Sequence, residues 1–202
     1  MTILIINNYR KKDNLNKVDQ ILSVLREMKK KYVVWRYREI DIQNIPGQIE
    51  AVILSGSEAH IKDQGCFSKY QTEIDFIRQI DVPVLGICFG HQLIAKASGS
   101  KIKSLENRSN DFQKVRILEP DEIFSTWKLG DEILVCQSHK DYVAAIPSEF
   151  VCLAVSQVQS KKTIEGMKHK SKPVYGVQAH IERATKEKPD GRQVLENFIY
   201  LT

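Results

Sequence analysis

The chain has 202 residues, 42% of them hydrophobic and 27% charged, with a formal net charge of +5. That length suits one folded domain, and the composition is that of an ordinary globular protein, which excludes a disordered chain; no apolar run approaches the ~20 residues of a bilayer span, so no membrane association is expected. The surplus lysines, at positions 29–31 and at Lys161, Lys162, Lys168, Lys170 and Lys172, lack the interleaved aromatics of a base-stacking surface and read as solvated faces, with no nucleic acid as partner.

Residues 1–6 are apolar and predict a buried strand. The run is too short for a signal-peptide core and has neither a basic segment before it nor a small-residue cleavage site behind it. A cytoplasmic location is therefore expected, with Cys66, Cys88, Cys136 and Cys152 reduced; their spacing suits neither a disulfide framework nor a zinc site, and no metal or cofactor is expected. Leu15, Val18, Ile21, Leu22, Leu25 and Met28 recur at three- and four-residue intervals and predict an amphipathic helix. Residues 32–35 and 51–54 have strand length and composition, residues 67–80 predict a helix with Tyr70, Ile74 and Ile77 on one face, and residues 82–87 predict another buried strand. Continuously apolar strands alternating with helices imply a parallel sheet covered on both faces, a doubly wound α/β fold. After Gly99 the strand candidates crowd together at 112–118, 133–136, 150–156, 163–167 and 173–179, a small antiparallel β segment, before a final helix over 192–201. No repeat, low-complexity tract or Pro/Gly/Ser linker divides the chain, so residues 1–202 are read as a single α/β domain with a mostly parallel sheet.

The most informative stretch is Val82-Pro83-Val84-Leu85-Gly86-Ile87-Cys88-Phe89-Gly90-His91-Gln92, in which an apolar strand runs into a cysteine with glycine two residues to either side and a helix directly after. A nucleophile on a tight strand-to-helix turn needs a strained backbone, and the glycines are expected to remove the Cβ clashes that forbid it. The turn also sets the sulfur at a helix N-terminus, where partial positive charge favours thiolate. Taken alone, Cys88 reads more readily as a buried strand-end cysteine. Near the other end, Val174-Tyr175-Gly176-Val177-Gln178-Ala179-His180-Ile181-Glu182 reads as a strand delivering His180 and Glu182, whose side chains share a face if the chain is extended. A histidine that accepts a thiol proton and is oriented by a carboxylate is the logic of an activated nucleophile.

With these segments in view, the chain resembles the class I glutamine amidotransferases: Gly86-Ile87-Cys88-Phe89-Gly90-His91-Gln92 matches the family's nucleophile motif almost residue for residue. Gln137-Ser138-His139-Lys140-Asp141 and the stretch from Met167 to Gln178 are most similar to the glutaminase part of GMP synthetases, especially the stand-alone archaeal type. The resemblance implies that Cys88 is the nucleophile, His180 the base and Glu182 its orienter. It also implies that Gln92 holds the substrate glutamine, that Gln137, Ser138 and His139 meet its α-amino and carboxylate end, and that the backbone N–H groups of Gly56 and Phe89 receive the developing oxyanion. The activity implied is hydrolysis of glutamine through a γ-glutamyl thioester, with ammonia delivered to an ATP-dependent synthetase subunit on another chain, xanthosine monophosphate being the acceptor in the GMP case. No ATP-binding phosphate loop follows the glutaminase motifs, which is why a partner is expected.

The sequence departs from the family at Ser55-Gly56-Ser57-Glu58, where a second glycine and a proline are usual, at Ala179 and Ile181, which replace Phe and Pro beside the histidine, and at Asn7-Asn8-Tyr9-Arg10-Lys11-Lys12, which lacks the Asp-Asn-Gly-Gly-Gln opening. Two other readings stay open on the sequence. One is a free-standing γ-glutamyl hydrolase, against which Gln92 argues; the other is a silent regulatory subunit whose altered loop at Ser57 no longer completes the oxyanion hole.

Overall fold

The structure is a computed structural model describing residues 2–45 and 47–202; the expected first strand therefore has its Met1 outside the described residues. Strand β1 (Thr2–Asn7) sits between β2 (Tyr32–Arg36) and β3 (Ile49–Leu54), and β3 pairs with β4 (Val84–Ile87), all parallel. β4 then pairs in parallel with β11 (Val174–Val177), a strand from the far end of the chain. Beyond β11 the same sheet continues antiparallel through β10 (Lys161–His169), β9 (Phe150–Val158), β6 (Phe112–Ile117) and β7 (Glu132–Cys136), giving nine strands in the order β2-β1-β3-β4-β11-β10-β9-β6-β7. A separate antiparallel pair, β5 (Ile102–Ser109) with β8 (His139–Val143), completes the strands.

The two-residue period of the strands divides the core. Ile3, Ile5, Ala51, Ile53, Leu85 and Ile87 face one layer, which α1 (Asp19–Glu27) covers with Ile21, Leu22 and Leu25, and α4 (Asp190–Tyr200) with Val194, Leu195, Phe198 and Ile199. Leu4, Ile6, Val52, Leu54 and Val84 face the other layer, under α2 (Gln71–Gln79) and α3 (Phe89–Ala97). Burying each such side chain contributes roughly 1.5–3 kcal/mol, which is why the continuously apolar strands read as doubly covered. The predicted helices over 15–28 and 67–80 both begin as 3-10 segments, Lys12–Val18 and Phe67–Tyr70, before turning α; Asn14 and Asn16 in the first of these favour local side-chain bonding over an α turn. No helix among the described residues is long and apolar enough to cross a membrane.

Strands β5 and β8 were not visible in the sequence pattern. β5 exposes most of its residues, Lys103, Ser104, Glu106, Asn107 and Arg108 included, so it carries no alternating apolar signal.

Candidate active site

In the parallel half of the sheet, β1, β3, β4 and β11 all end on one edge, the edge where open α/β sheets place their ligand sites. Strand β4 stops at Ile87, and Cys88 makes the turn into α3 with φ 49° and ψ −95°, a region a non-glycine residue occupies only at a cost of about 1–3 kcal/mol. The flanking glycines remove Cβ clashes as expected, although neither has positive φ itself: a Cβ on Gly86 would lie 2.6 Å from the Gly90 carbonyl carbon, and one on Gly90 would lie 2.7 Å from the Leu54 carbonyl oxygen. The helix start is thereby pressed onto β3 and β4, and the strain is left at Cys88.

Strand β11 runs alongside, with Val177 in register with Ile87, and its continuation carries His180 to the same edge. The expected extended segment ends early. β11 stops at Val177, His180 has φ −81° and ψ 78°, and Glu182 sits in a 3-10 turn, Ile181–Arg183. His180 and Glu182 therefore meet by a turn folding one back toward the other and not by strand alternation, with 2.6 Å between His180 Nδ1 and Glu182 Oε1. Two further bonds fix the turn, His180 N–H to the Cys136 carbonyl (2.8 Å) and Arg183 N–H to the His180 carbonyl (3.1 Å).

Nδ1 of His180 is taken by Glu182, and the ring lies near enough to the Cys88 sulfur for that group to raise its pKa; the Gln178 amide points at the same sulfur, 3.6 Å away. Burial disfavours charge on His180, but the Glu182 carboxylate and Cys88 outweigh it and raise its pKa to about 9. Burial likewise opposes charge on Glu182, yet His180 holds its carboxyl below the usual range. The raised histidine contributes stability that is fully present below pH ~6.5 and is lost as pH rises through about 9. The depressed glutamate contributes above pH ~4.5 and loses that as pH falls. Between those limits the imidazolium form of His180 is favoured.

A narrow pocket of about 20 Å³, open to solvent, adjoins the sulfur and is lined by Ser57, Glu58, His60, Cys88, Phe89, Gln92, Arg108, Ser138, His139, Lys140 and Asp141. The β5–β8 pair walls its mouth: Arg108 on β5 donates to the Ser138 carbonyl (2.8 Å) and hydroxyl (3.1 Å), and Asp141 on β8 takes a bond from Ser104 (2.7 Å) and faces His60 at 3.3 Å. Gln92 reaches the pocket from α3 with its amide NH2 spent on the Asp141 carbonyl (2.7 Å) and Gln178 Oε1 (3.1 Å).

The profile described as "Glutamine amidotransferase class-I" matches residues 12–201. The chain belongs to the class-I glutamine amidotransferase family. Among similar proteins, a glutamine-hydrolysing GMP synthase subunit of Methanothermobacter thermautotrophicus is 40% identical over 150 residues, 74% of this chain and 73% of the relative. The protein of the same name from Methanosphaera stadtmanae is 33% identical over 199 residues, 98% of this chain and 96% of the relative. A crystal structure from Thermoplasma acidophilum, provisionally assigned to the same GMP synthase subunit, superposes with a TM-score of 0.81 at 25% identity, covering 100% of this chain and 93% of that one.

Of the residues picked out for this amidotransferase by sequence, the structure brings Cys88, Phe89, Gln92, Ser138 and His139 to the pocket and His180 with Glu182 to the sulfur. Gly56 lies beside His180, and among the described residues neither its N–H nor that of Phe89 has a hydrogen-bond partner, as oxyanion donors require. Gln137 is the exception. Its side chain turns inward, its Nε2 donating to the buried Glu165 (2.9 Å), so it does not line the pocket; only Ser138 and His139 of that segment do. Glu58, His60 and Arg108 join the pocket with no role predicted for them, as does Asp141, which the sequence offered only as the end of the Gln137–Asp141 segment; the β5–β8 pairing carries Arg108 and Asp141 there.

Gly56 has almost no room. A Cβ there would lie 2.7 Å from His180 Cε1 and 3.1 Å from the Tyr9 hydroxyl. Gly56→Ala is therefore expected to push His180 off the sulfur and cut kcat for glutamine hydrolysis by about 10²-fold, the scale of losing one oxyanion donor, while thermal unfolding shifts little. Unchanged kcat in a folded Gly56→Ala protein would place the oxyanion loop elsewhere.

Proposed function

We propose that this chain is the glutaminase subunit of a GMP-synthase-type enzyme, a single domain in which Cys88 is the nucleophile, His180 the proton carrier and Glu182 its orienting carboxylate. The observation that carries the reading is a cysteine at φ 49° on a strand-to-helix turn, beside a buried histidine that a glutamate holds at 2.6 Å.

The Cys88 thiolate attacks the carboxamide carbon of glutamine, and the oxygen takes up negative charge facing the unpaired N–H groups of Gly56 and Phe89. The His180 imidazolium gives its proton to the departing nitrogen, so ammonia leaves and a γ-glutamyl thioester remains. A water then attacks the thioester, His180 takes its proton, and glutamate leaves as the thiolate reforms. At the pocket mouth Arg108 and Lys140 supply positive charge while Glu58 and Asp141 supply negative charge, which suits the zwitterionic end of an amino acid.

Because the imidazolium is the acid of the first step and its pKa lies at about 9, kcat/KM is expected to fall away as pH rises through about 9. A pH profile of glutamine hydrolysis that stays flat well beyond that point contradicts the role given to His180.

The curated relatives' names place them with glutamine-hydrolysing GMP synthase, which supports a separate ATP-dependent synthetase chain as partner and xanthosine monophosphate as the ultimate acceptor. The test is ammonia release from glutamine by the purified chain with and without such a synthetase, ATP and xanthosine monophosphate. Turnover raised by the synthetase supports the assignment; turnover indifferent to it keeps the glutaminase and points to another acceptor.

A further inference from the structure

The loop that carries Gly56 is braced from behind by a buried pair that the reaction itself does not use. Asn8, directly after β1, is fully buried and holds the loop at three points: its N–H donates to Ser55 Oγ (2.9 Å), its side-chain amide to the Ser55 carbonyl (3.3 Å), and its carbonyl accepts from Ser57 Oγ (2.8 Å). Ser55 and Ser57 flank Gly56, so the position of the Gly56 N–H follows that of Asn8. The second amide proton of Asn8 goes to Glu73 Oε1 (3.0 Å) on α2, also fully buried. Two atoms of this pair, Asn8 Oδ1 and Glu73 Oε2, are buried with no partner.

An acceptor left unpaired on each side of one contact is resolved by a single proton. A carboxylic acid and an amide pair through two parallel bonds, N–H to the acid carbonyl and O–H to the amide carbonyl, and both orphaned oxygens are then satisfied. We infer that Glu73 is a positioning residue for the oxyanion loop: as a neutral acid it closes a cyclic pair with the Asn8 amide and thereby fixes Ser55, Gly56 and Ser57. Burial raises the Glu73 pKa to about 8, against the opposing effect of the Asn8 bond, which agrees with that protonation at neutral pH. Tyr70 is the titratable group beside Glu73, with Tyr37 and Cys66 near Tyr70; burial raises both the Tyr70 hydroxyl and the Cys66 thiol, and no Lys, Arg or His acts on Glu73 among the described residues.

The inference builds on the glutaminase reading, and the experiment separates the two. Glu73→Gln keeps both bonds, since the Gln amide accepts from and donates to the Asn8 amide without titrating; Glu73→Leu keeps the bulk and loses both. Three measurements on wild type and both variants decide it. In infrared difference spectra at pH 7, wild type minus Glu73→Gln shows a carboxylic-acid carbonyl band; carboxylate bands in its place overturn the inference. Amide hydrogen exchange of the Ser55–Ser57 segment is unchanged in Glu73→Gln and faster in Glu73→Leu; equal exchange in all three overturns it.

Third, kcat for glutamine hydrolysis is near wild type in Glu73→Gln and falls about tenfold in Glu73→Leu, a fraction of the ~10²–10³ lost with a whole donor, at little-changed KM. Wild-type kcat/KM falls in two steps, partly through about pH 8 and fully through about pH 9, and Glu73→Gln shows only the second. Glu73→Gln as impaired as Glu73→Leu overturns the inference. A wild type that releases no ammonia overturns the glutaminase reading, while the infrared and exchange results still decide the Asn8–Glu73 pair.

Discussion

Cys88→Ala abolishes ammonia release from glutamine and leaves the protein folded. The chemical loss is set by what the sulfur does: without a nucleophile no thioester forms, and removal of a covalent nucleophile from a cooperating triad lowers kcat by as much as about 10⁶-fold. The structural cost is small because the side chain contributes one sulfur to a site that already meets solvent, and the backbone bonds of the turn, Cys88 N–H to the Val177 carbonyl (2.8 Å) and Gln92 N–H to the Cys88 carbonyl (3.0 Å), do not involve it. Alanine still carries a Cβ into φ 49°, whereas Cys88→Gly does not, so the glycine variant is expected to be the more stable of the two by about 1 kcal/mol. Thermal unfolding of both, beside an ammonia assay, tests both halves. Residual turnover in a pure Cys88→Ala preparation removes Cys88 from the mechanism.

His180→Ala is expected to cost nearly as much as loss of the nucleophile, and Glu182→Ala distinctly less. His180 both favours the thiolate and carries the proton to the leaving nitrogen, so its removal takes away two functions together. Glu182 acts through it: the 2.6 Å bond selects which ring nitrogen faces the sulfur and favours the imidazolium, and an orienting carboxylate of this kind contributes less than the proton carrier. In Glu182→Ala the histidine loses its main charge partner while staying buried, so its pKa falls and the alkaline limb of kcat/KM moves below pH 9. Kinetics across pH for the two variants give both readings; a Glu182→Ala enzyme more damaged than His180→Ala reverses the roles.

The reasons that parts of this site were legible in the sequence are local ones. Val84 to Gln92 spells a strand, a turn and a helix within a few residues, so the place of Cys88 followed from periodicity and from the helix start. The His180–Glu182 pairing was anticipated for the wrong reason: two residues apart in an extended chain share a face, but here β11 has already ended, and a 3-10 turn makes the contact. Ser138 and His139 reached the pocket while Gln137 did not, because Gln137, in the link between β7 and β8, spends its side-chain amide on the buried Glu165 in the interior. Arg108 and His60 gave no signal, and Asp141 only as part of the Gln137–Asp141 motif, because their roles depend on the β5–β8 ladder, which joins residues 30 or more positions apart across a solvent-exposed strand. Asn8 and Glu73 were equally silent: their contact spans 65 positions, and an asparagine at a strand end or a glutamate in a helix is ordinary until both prove to be buried.

The place of β11 in the sheet also governs when this protein becomes whole. Cys88 and His180 are brought together by one ladder, β4 with β11, yet β11 enters between β4 and β10, two strands made before it on the ribosome. Until Val174–Val177 has been synthesised and inserted, the parallel and antiparallel halves each present an open edge toward the gap, and such edges invite pairing with other chains. Insertion of that one four-residue strand seals both edges and delivers the base to the nucleophile, so the reactive sulfur gains its histidine only when the sheet has closed around it.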